Sequence, residues 1–310
     1  MTARIDLNSK PNILCTKQCN KVQRQSITEN DLCSKLDSVE DGLPVRCVGD
    51  WAEQKIYLLS QYFGIFSEGM KNKWKLLNYI EICSGPGRCI NRAYGNEIDG
   101  TSLCVLKHKA FKNIDKALFF DFDETVVSVL NQRIERIGVK NAKALFADYN
   151  NVDELCATIE IEIIPQSLNL VLIDPTDCSV PFELIRKIKA ALPNVDFIIN
   201  IATGTDFNRN IPMAFKNEER AKKYGKFLGN DHFFNDLDNL NLCKMGKFIE
   251  LREKFRLTYQ NSLKGIGFEH FDIELVKHYY DILFAASHPK AIEFWHKATA
   301  IKYDGQRSLF

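Results

Sequence analysis

Residues 76–87 read LLNYIEICSGPG: an apolar run of strand length that stops abruptly in a two-glycine turn. The same texture recurs downstream. KALFFDFD (116–123), AKALFADY (142–149), LNLVLIDP (168–175) and VDFIINIA (195–202) are four more short apolar runs. Between them lie stretches with helical spacing, ETVVSVLNQRIERIG (124–138), NVDELCATIEI (151–161) and PFELIRKIKAAL (181–192). Strands alternating with helices predict βαβ units, and near-continuous apolar strands predict a parallel sheet buried on both faces. Right-handed crossovers then give an α/β, doubly wound, mostly parallel sheet. Two further runs, HFDIELVK (270–277) and YYDILFAAS (279–287), are close enough to pair as an antiparallel hairpin, and PKAIEFWHKATAIKY (289–303) predicts a closing helix.

Upstream of the glycine turn, WAEQKIYLLSQYFGIF (51–66) carries Ile56, Leu59, Phe63 and Phe66 at helical spacing, with Asp50 in the place of an N-cap. Residues 1–40 are polar and aperiodic and are expected to be a loosely ordered extension. One domain is expected over 41–310, interrupted after Ala202 by a helical insertion spanning 206–266.

The chain has 310 residues, 45% of them hydrophobic, which is enough for a sizeable core. With 41 Lys and Arg against 40 Asp and Glu, the formal charge is +1, which excludes a polybasic protein whose whole surface captures phosphate. No apolar run approaches the roughly 20 residues of a membrane helix, and MTARIDLNSKPNIL has no long apolar signal-peptide core. A cytoplasmic protein without membrane contact is expected, its ten cysteines free thiols. Cys15 and Cys19 would need a third cysteine at Val22 to hold an iron–sulfur cluster, and Cys33 and Cys47 lack zinc-site spacing, so no metal site is expected.

In open α/β sheets, ligands bind at the carboxyl ends of the strands. Here those ends carry a pattern. The first ends in Glu81, followed by Ser84, Gly85, Pro86 and Gly87. Two glycines let a ligand approach the backbone, but the third glycine of a dinucleotide fingerprint is missing. The second strand ends in Asp121 and Phe122, the third in Asp148 and Tyr149, the fourth in Asp174, Pro175 and Thr176. An acid after the second strand can accept from both ribose hydroxyls, one after the third from an adenine amine, and Asp174 would face an acceptor group. Asp123 and Glu124 suit a helix N-terminus. A loop of this length suits S-adenosylmethionine, which has no phosphates, and five βα units followed by a hairpin resemble the element order of Rossmann-like methyltransferases.

A family resemblance covers residues 40–310. DGLPVRCVGDWAEQKIYLLSQYFGIFSEGM (41–70), NYIEICSGPGR (78–88), LFFDFD, FADYN, LVLIDPTD, IINIATGTDFNRN (198–210), LFAASHPKAIEFW (283–295) and the closing GQRSLF are collinear with, and resemble, the three-Cys-motif partner family. The resemblance implies a Rossmann-like, S-adenosylmethionine-methyltransferase-like fold and a separate partner that carries three cysteines for a radical-SAM-type cluster. Thr176 and Asp177 depart from the D-P-P-aromatic loop of amino-methyltransferases, which puts base N-methylation in doubt.

Two rival functions have residues behind them. The fold could bind its ligand only to hold or signal to a partner. Alternatively, Asp121, Asp123 and Thr125 match the D-x-D-x-T signature of haloacid-dehalogenase-like phosphatases, with Asp121 as nucleophile. That fold begins with this strand and follows it with a flap, whereas here a glycine-loop strand precedes it and a helical pattern follows at once.

Arg209 and Asn210, just after the fifth strand, could contact an anionic substrate. The insertion has twelve Lys and Arg against eight Asp and Glu. Lys222, Lys223 and Lys226, interleaved with Tyr224, Phe227 and Phe255, suit a phosphate-positioning surface with aromatics for stacking, so nucleic acid is a candidate partner. A solvated face of Glu–Lys pairs is the competing reading.

Overall fold

A computed structural model describes residues 7–12, 14–15, 32–277 and 279–300. Most of the expected N-terminal extension, the Cys19 and Val22 positions and the closing GQRSLF lie outside the described residues. The chain divides into two compact units, one of residues 1–147 and 293–310, the other of 148–292.

The first unit holds two sheets. Strands β1 (Lys10–Pro11), β2 (Leu32–Asp37) and β3 (Pro44–Val48) lead into helix α1 (Ala52–Met70). Then come β4 (Leu77–Ile82), a tight hairpin of β5 (Arg88–Asn91) and β6 (Asn96–Asp99), helix α2 (Thr101–Lys107), β7 (Lys116–Asp121), α3 (Glu124–Ile137) and β8 (Ala142–Phe146). β4, β7 and β8 run parallel, with Ile80 opposite Leu118 and Phe119 opposite Ala144. Every residue of β4 is buried, as a two-faced parallel strand requires. The smaller sheet has the order β1-β6-β5-β3-β2. Its presence differs from the expectation for residues 1–40, whose described part supplies two strands. Arg88 of β5 ties this sheet together, contacting Glu97 and Asp99 of β6 at 3.0 and 2.7 Å and Glu40, between β2 and β3, at 2.9 Å.

Helix α1 buries Ile56, Leu59, Phe63 and Phe66, the four residues its spacing singled out. Its cap differs. Trp51, not Asp50, occupies the N-cap, and its side chain makes no capping hydrogen bond. Asp123 caps α3 by accepting from the Val126 N–H, and Gly138, at φ +78°, ends it in a left-handed turn.

In the second unit, α4 (Val152–Glu162), β9 (Leu168–Ile173), α5 (Phe182–Ala191) and β10 (Val195–Ile201) give a parallel pair, Ile199 opposite Ile173. Helices α6 (Asn208–Ala214), α7 (Glu218–Leu228), α8 (Leu237–Lys244) and α9 (Phe248–Gly265) form the insertion. β11 (His270–Val276) and β12 (Tyr280–Ala286) form the expected antiparallel hairpin, and β12 also pairs antiparallel with β10. α10 (Pro289–Thr299) closes the described chain, its first turn capped by His288 Nδ1, which accepts from the Lys290 N–H at 3.0 Å. Trp295, fully buried in the first unit, packs on Tyr62 at 5.6 Å between ring centroids.

The fold class read from the sequence is the one found: α/β, Rossmann-like and methyltransferase-like, with mostly parallel strands, a C-terminal antiparallel hairpin and a helical insertion. Among the described residues, no helix is long and apolar enough to cross a membrane.

Candidate functional site

The first strand-end loop turns sharply. Cys83, Gly85 and Gly87 all have left-handed φ angles, +66°, +64° and +93°. For Cys83 that conformation costs about 1–2 kcal/mol, so its surroundings must hold it there. Several bonds do. The Ser84 N–H donates to the Phe120 carbonyl at 3.0 Å, and Gly87's carbonyl accepts from the Gly100 N–H at 2.7 Å. Arg133 donates to the Pro86 carbonyl at 2.6 Å. A Cβ on Gly87 would meet Leu130 at 2.9 Å and Leu103 at 3.0 Å, so this glycine serves the packing of α2 and α3 as well as the turn.

The loop and the end of the second strand meet directly. The Gly85 N–H donates to Asp121 Oδ2 at 2.9 Å, and the Asp123 N–H to Oδ1 at 3.3 Å. Burial pushes the Asp121 carboxyl above the usual carboxylate range, against the Gly85 bond, the Arg46 charge and the backbone N–H groups of Asp123 and Phe122. Ser84 is buried, and its hydroxyl has no hydrogen-bond partner. Pro86 is buried, whereas Phe122 is 53% exposed. Glu81 is turned elsewhere. It is fully buried and accepts from Tyr79 Oη at 2.8 Å and from Thr101 Oγ1.

In the second unit, Asp148 is exposed and closes its own turn, accepting from the N–H and side chain of Asn150 at 2.8 and 2.9 Å. Tyr149 Oη lies 2.8 Å from Ser179 Oγ. Asp174 Oδ1 and the Pro175 carbonyl both accept from Asn200 Nδ2, at 3.0 and 3.1 Å. Asn200 Oδ1 is buried without a partner. Thr176 is exposed.

The insertion behaves differently from its sequence. Tyr224, Phe227 and Phe255, expected at a stacking surface, are core residues. Phe227 stacks between Phe255 and Tyr259, at 5.9 and 4.8 Å, and Tyr224 meets Phe207 edge-on at 5.7 Å. The driving force is the burial of aromatic area, which outweighs the basic residues beside them in sequence. Lys223 places its ammonium 2.8 Å from Asp177 and 3.0 Å from Asp206. Burial alone would raise Asp206; bonds from the Cys178 N–H, Lys223 and Asn210 hold it below the usual range. Asn210 accepts from Arg220 and donates to Asp206. Lys222 sits 3.6 Å from Glu218, an exposed pair one helical turn apart. Lys226 and Arg209 are exposed.

Within the first unit, then, Ser84, Gly85, Pro86, Gly87 and Asp121 come together. Within the second, Asp174 and Pro175 come together, as do Asn210 and Lys223 around Asp206. Arg133 was missed, although it left a signal: it occupies a core position in the buried set Val126, Val129, Leu130, Arg133 and Ile134 of α3. Asn200 left one too, as the amide inside the apolar run of β10. Arg46 and Asp206 left none that periodicity could detect.

No protein-family model matches the chain. No curated protein matches it either. Among solved structures, it is similar to an rRNA methylase from Streptococcus thermophilus, with 10% identity over 72% of this chain and 93% of that one, at a TM-score of 0.38. Human methyltransferase-like protein 13, solved with SAH, matches at 14% identity over 84% and 95%, with a TM-score of 0.43. A precorrin-6y C5,15-methyltransferase from Geobacter metallireducens matches at 9% over 72% and 86%, with a TM-score of 0.35.

Proposed function

We propose that the chain binds S-adenosylmethionine at the loop Ser84–Gly87 and Asp121, and that it is a methyltransferase-like protein. One observation carries the reading: a buried carboxylate at the second strand end is held against a glycine turn by the Gly85–Asp121 hydrogen bond. Each carboxylate oxygen keeps acceptor capacity beyond the bond it already makes, enough for a pair of ribose hydroxyls. The unpartnered Ser84 hydroxyl and the left-handed backbone at Gly85 fit the same ligand. When bound, S-adenosylmethionine supplies an electrophilic methyl group. This chain's share is alignment. Within the first unit, Asp121 holds the hydroxyls; within the second, Asp174 lies in a loop fixed by Asn200.

Calorimetry with S-adenosylhomocysteine tests this reading. Binding to wild type that weakens about ten- to a hundredfold in Asp121→Ala supports it, because a charge-assisted hydrogen-bond pair is lost. No binding at millimolar ligand to folded protein refutes it.

A second reading, a ligand-binding partner protein without catalysis, is favoured by the loop at Asp174. Asn200 already occupies the Pro175 carbonyl and one oxygen of Asp174, and no aromatic follows them. Single-turnover methyl transfer to RNA, DNA or the partner separates the two. The phosphatase reading loses support, since the Asp123 carboxylate caps α3 and that helix begins at Glu124 without a flap. In either reading the partner is proposed to be a radical-SAM-type protein with a three-cysteine motif, on the collinear resemblance over residues 40–310. Co-purification of the two chains tests it.

A further inference from the structure

We propose that Arg252 and Arg256 form a phosphate-binding site beside the carboxyl end of β10, one that does not depend on S-adenosylmethionine binding. The two arginines stand four residues apart on α9, about one turn, so they share a face of the helix. That face meets β12 at Asp281, which is fully buried and lies opposite Ile201, the last residue of β10. Arg256 grips the carboxylate with its fork, Nε to Oδ2 at 2.7 Å and Nη2 to Oδ1 at 2.7 Å. Arg252 Nη2 donates to the same Oδ1 at 2.9 Å and to Thr203 Oγ1 at 2.5 Å. Thr203 opens the π-helical turn (Thr203–Phe207) that follows β10. The pair thus sits at a carboxyl strand end, the edge where open α/β sheets receive ligands.

One carboxylate therefore holds two guanidinium groups side by side. Among the described residues, neither arginine has a second acid within ion-pair reach, and Glu250, two residues before Arg252, faces Lys247 at 2.9 Å instead. The cluster keeps one net positive charge. It also keeps donors. Among the described residues, Arg252 donates to nothing through Nη1 or through its buried Nε, and Arg256 to nothing through Nη1. The Thr205 hydroxyl, two residues after Thr203 in the same turn, is buried and unpartnered as well. Buried donors are ordinarily satisfied, and two like charges around one acid attract a further anion. The side chains are 16% and 18% exposed, so the surplus charge is screened less than on an open surface yet stays within reach of a ligand. A carboxylate ligand would satisfy a single fork. A phosphate group has more oxygens than one fork can use, and it can bridge two guanidinium groups.

Calorimetric titration with inorganic phosphate, against chloride at equal ionic strength, tests the site. Wild type is expected to bind phosphate saturably, and Arg252→Met should weaken that binding about ten- to a hundredfold. This variant leaves Asp281 both of its bonds from Arg256, so the buried carboxylate stays paired. Arg252→Lys keeps the charge without the fork and should fall between the two; it decides alone if Arg252→Met does not fold. A single-stranded RNA oligomer separates the sources of the phosphate. RNA displaced by inorganic phosphate, with a salt slope flattened by about 0.7 log units in the variant, assigns a nucleic-acid backbone. Phosphate binding with RNA binding untouched assigns a small phosphorylated ligand. Wild type that binds no phosphate beyond the chloride control overturns the site, with no variant required. Unchanged phosphate affinity in a folded Arg252 variant overturns it too, and leaves the two arginines as ties between α9 and β12.

Discussion

Arg133 reaches from helix α3 to the carbonyl of Pro86 at 2.6 Å, so the turn at the first strand end is held from behind by a buried cation. The same side chain forks onto Asp41 at 2.7 and 3.0 Å. Removing it strands a largely buried carboxylate and three carbonyls. Arg133→Met is expected to cost about 3–5 kcal/mol, read from urea unfolding midpoints. Adding Asp41→Asn should return part of that, because the uncompensated charge disappears.

Asp121 stores an opposite tension. Its carboxyl is raised by burial, so the folded state holds that proton more tightly than the unfolded chain does. Its contribution to stability is therefore present at low pH and lost as pH rises through the folded value. Asp121→Asn keeps an acceptor for the Gly85 N–H and removes the buried charge. Its unfolding midpoint at neutral pH should be at least that of wild type, while S-adenosylhomocysteine affinity falls about tenfold or more. A large drop in stability would mean the carboxylate serves the fold.

His108 gives an acid-side signature. Its ring meets Phe63 edge-on at 5.5 Å, and its Nδ1 accepts from the Ala110 N–H. Burial and the Lys109 charge hold its pKa below the ordinary value of 6.5, with Glu68 opposing. A depressed histidine stabilises the fold above its unfolded pKa, and that stability is lost as pH falls below it. His108→Asn keeps a capping acceptor. Its stability should decline less than that of wild type between pH 7 and pH 5.

Gly64 sets helix propensity against packing. An alanine in mid-helix normally gains up to about 1 kcal/mol over glycine. Here the new Cβ would lie 2.8 Å from His108 Cε1. Overpacking of this kind costs about 1–3 kcal/mol, so Gly64→Ala should lower the melting temperature. Combining it with His108→Ala should remove the Gly64→Ala penalty.

Lys222 and Lys226 are exposed on α7, and we propose them as the phosphate contacts of the insertion. Lys222→Gln with Lys226→Gln should flatten the salt dependence of RNA binding by about 0.7–0.9 log units per contact. Lys223→Gln should instead lower stability by about 1 kcal/mol, since its ammonium is committed to Asp177 and Asp206 and is partly screened by solvent. An unchanged slope in the double variant would leave the face merely solvated.

The strands of the two-faced sheet were legible because burial on both sides leaves uninterrupted apolar runs, and Asp121 was legible because one such run stops there. The hairpin 88–99 was not. Its strands, RCIN and NEID, are four residues long, the first half polar and the second polar but for Ile98, and their burial depends on partners such as Glu40 that lie far away in sequence. Arg133 occupies a core position that any helical pattern assigns to an apolar residue. The insertion misled for a related reason: Lys223 and Tyr224 are neighbours in sequence, yet one meets carboxylates and the other lies buried against Phe207.

That hairpin also dictates an order of assembly. Its two strands are joined by a short turn and pair Arg88 with Asp99. The parallel pairing of Asn78 with Lys116 must instead wait for everything between them to be synthesised. Local closure is entropically cheap and the longer one dearer. The Gly85–Asp121 contact spans 36 residues and cannot exist until Asp121 has been synthesised, so the glycine turn is tied to the second strand end only after its neighbouring hairpin is complete.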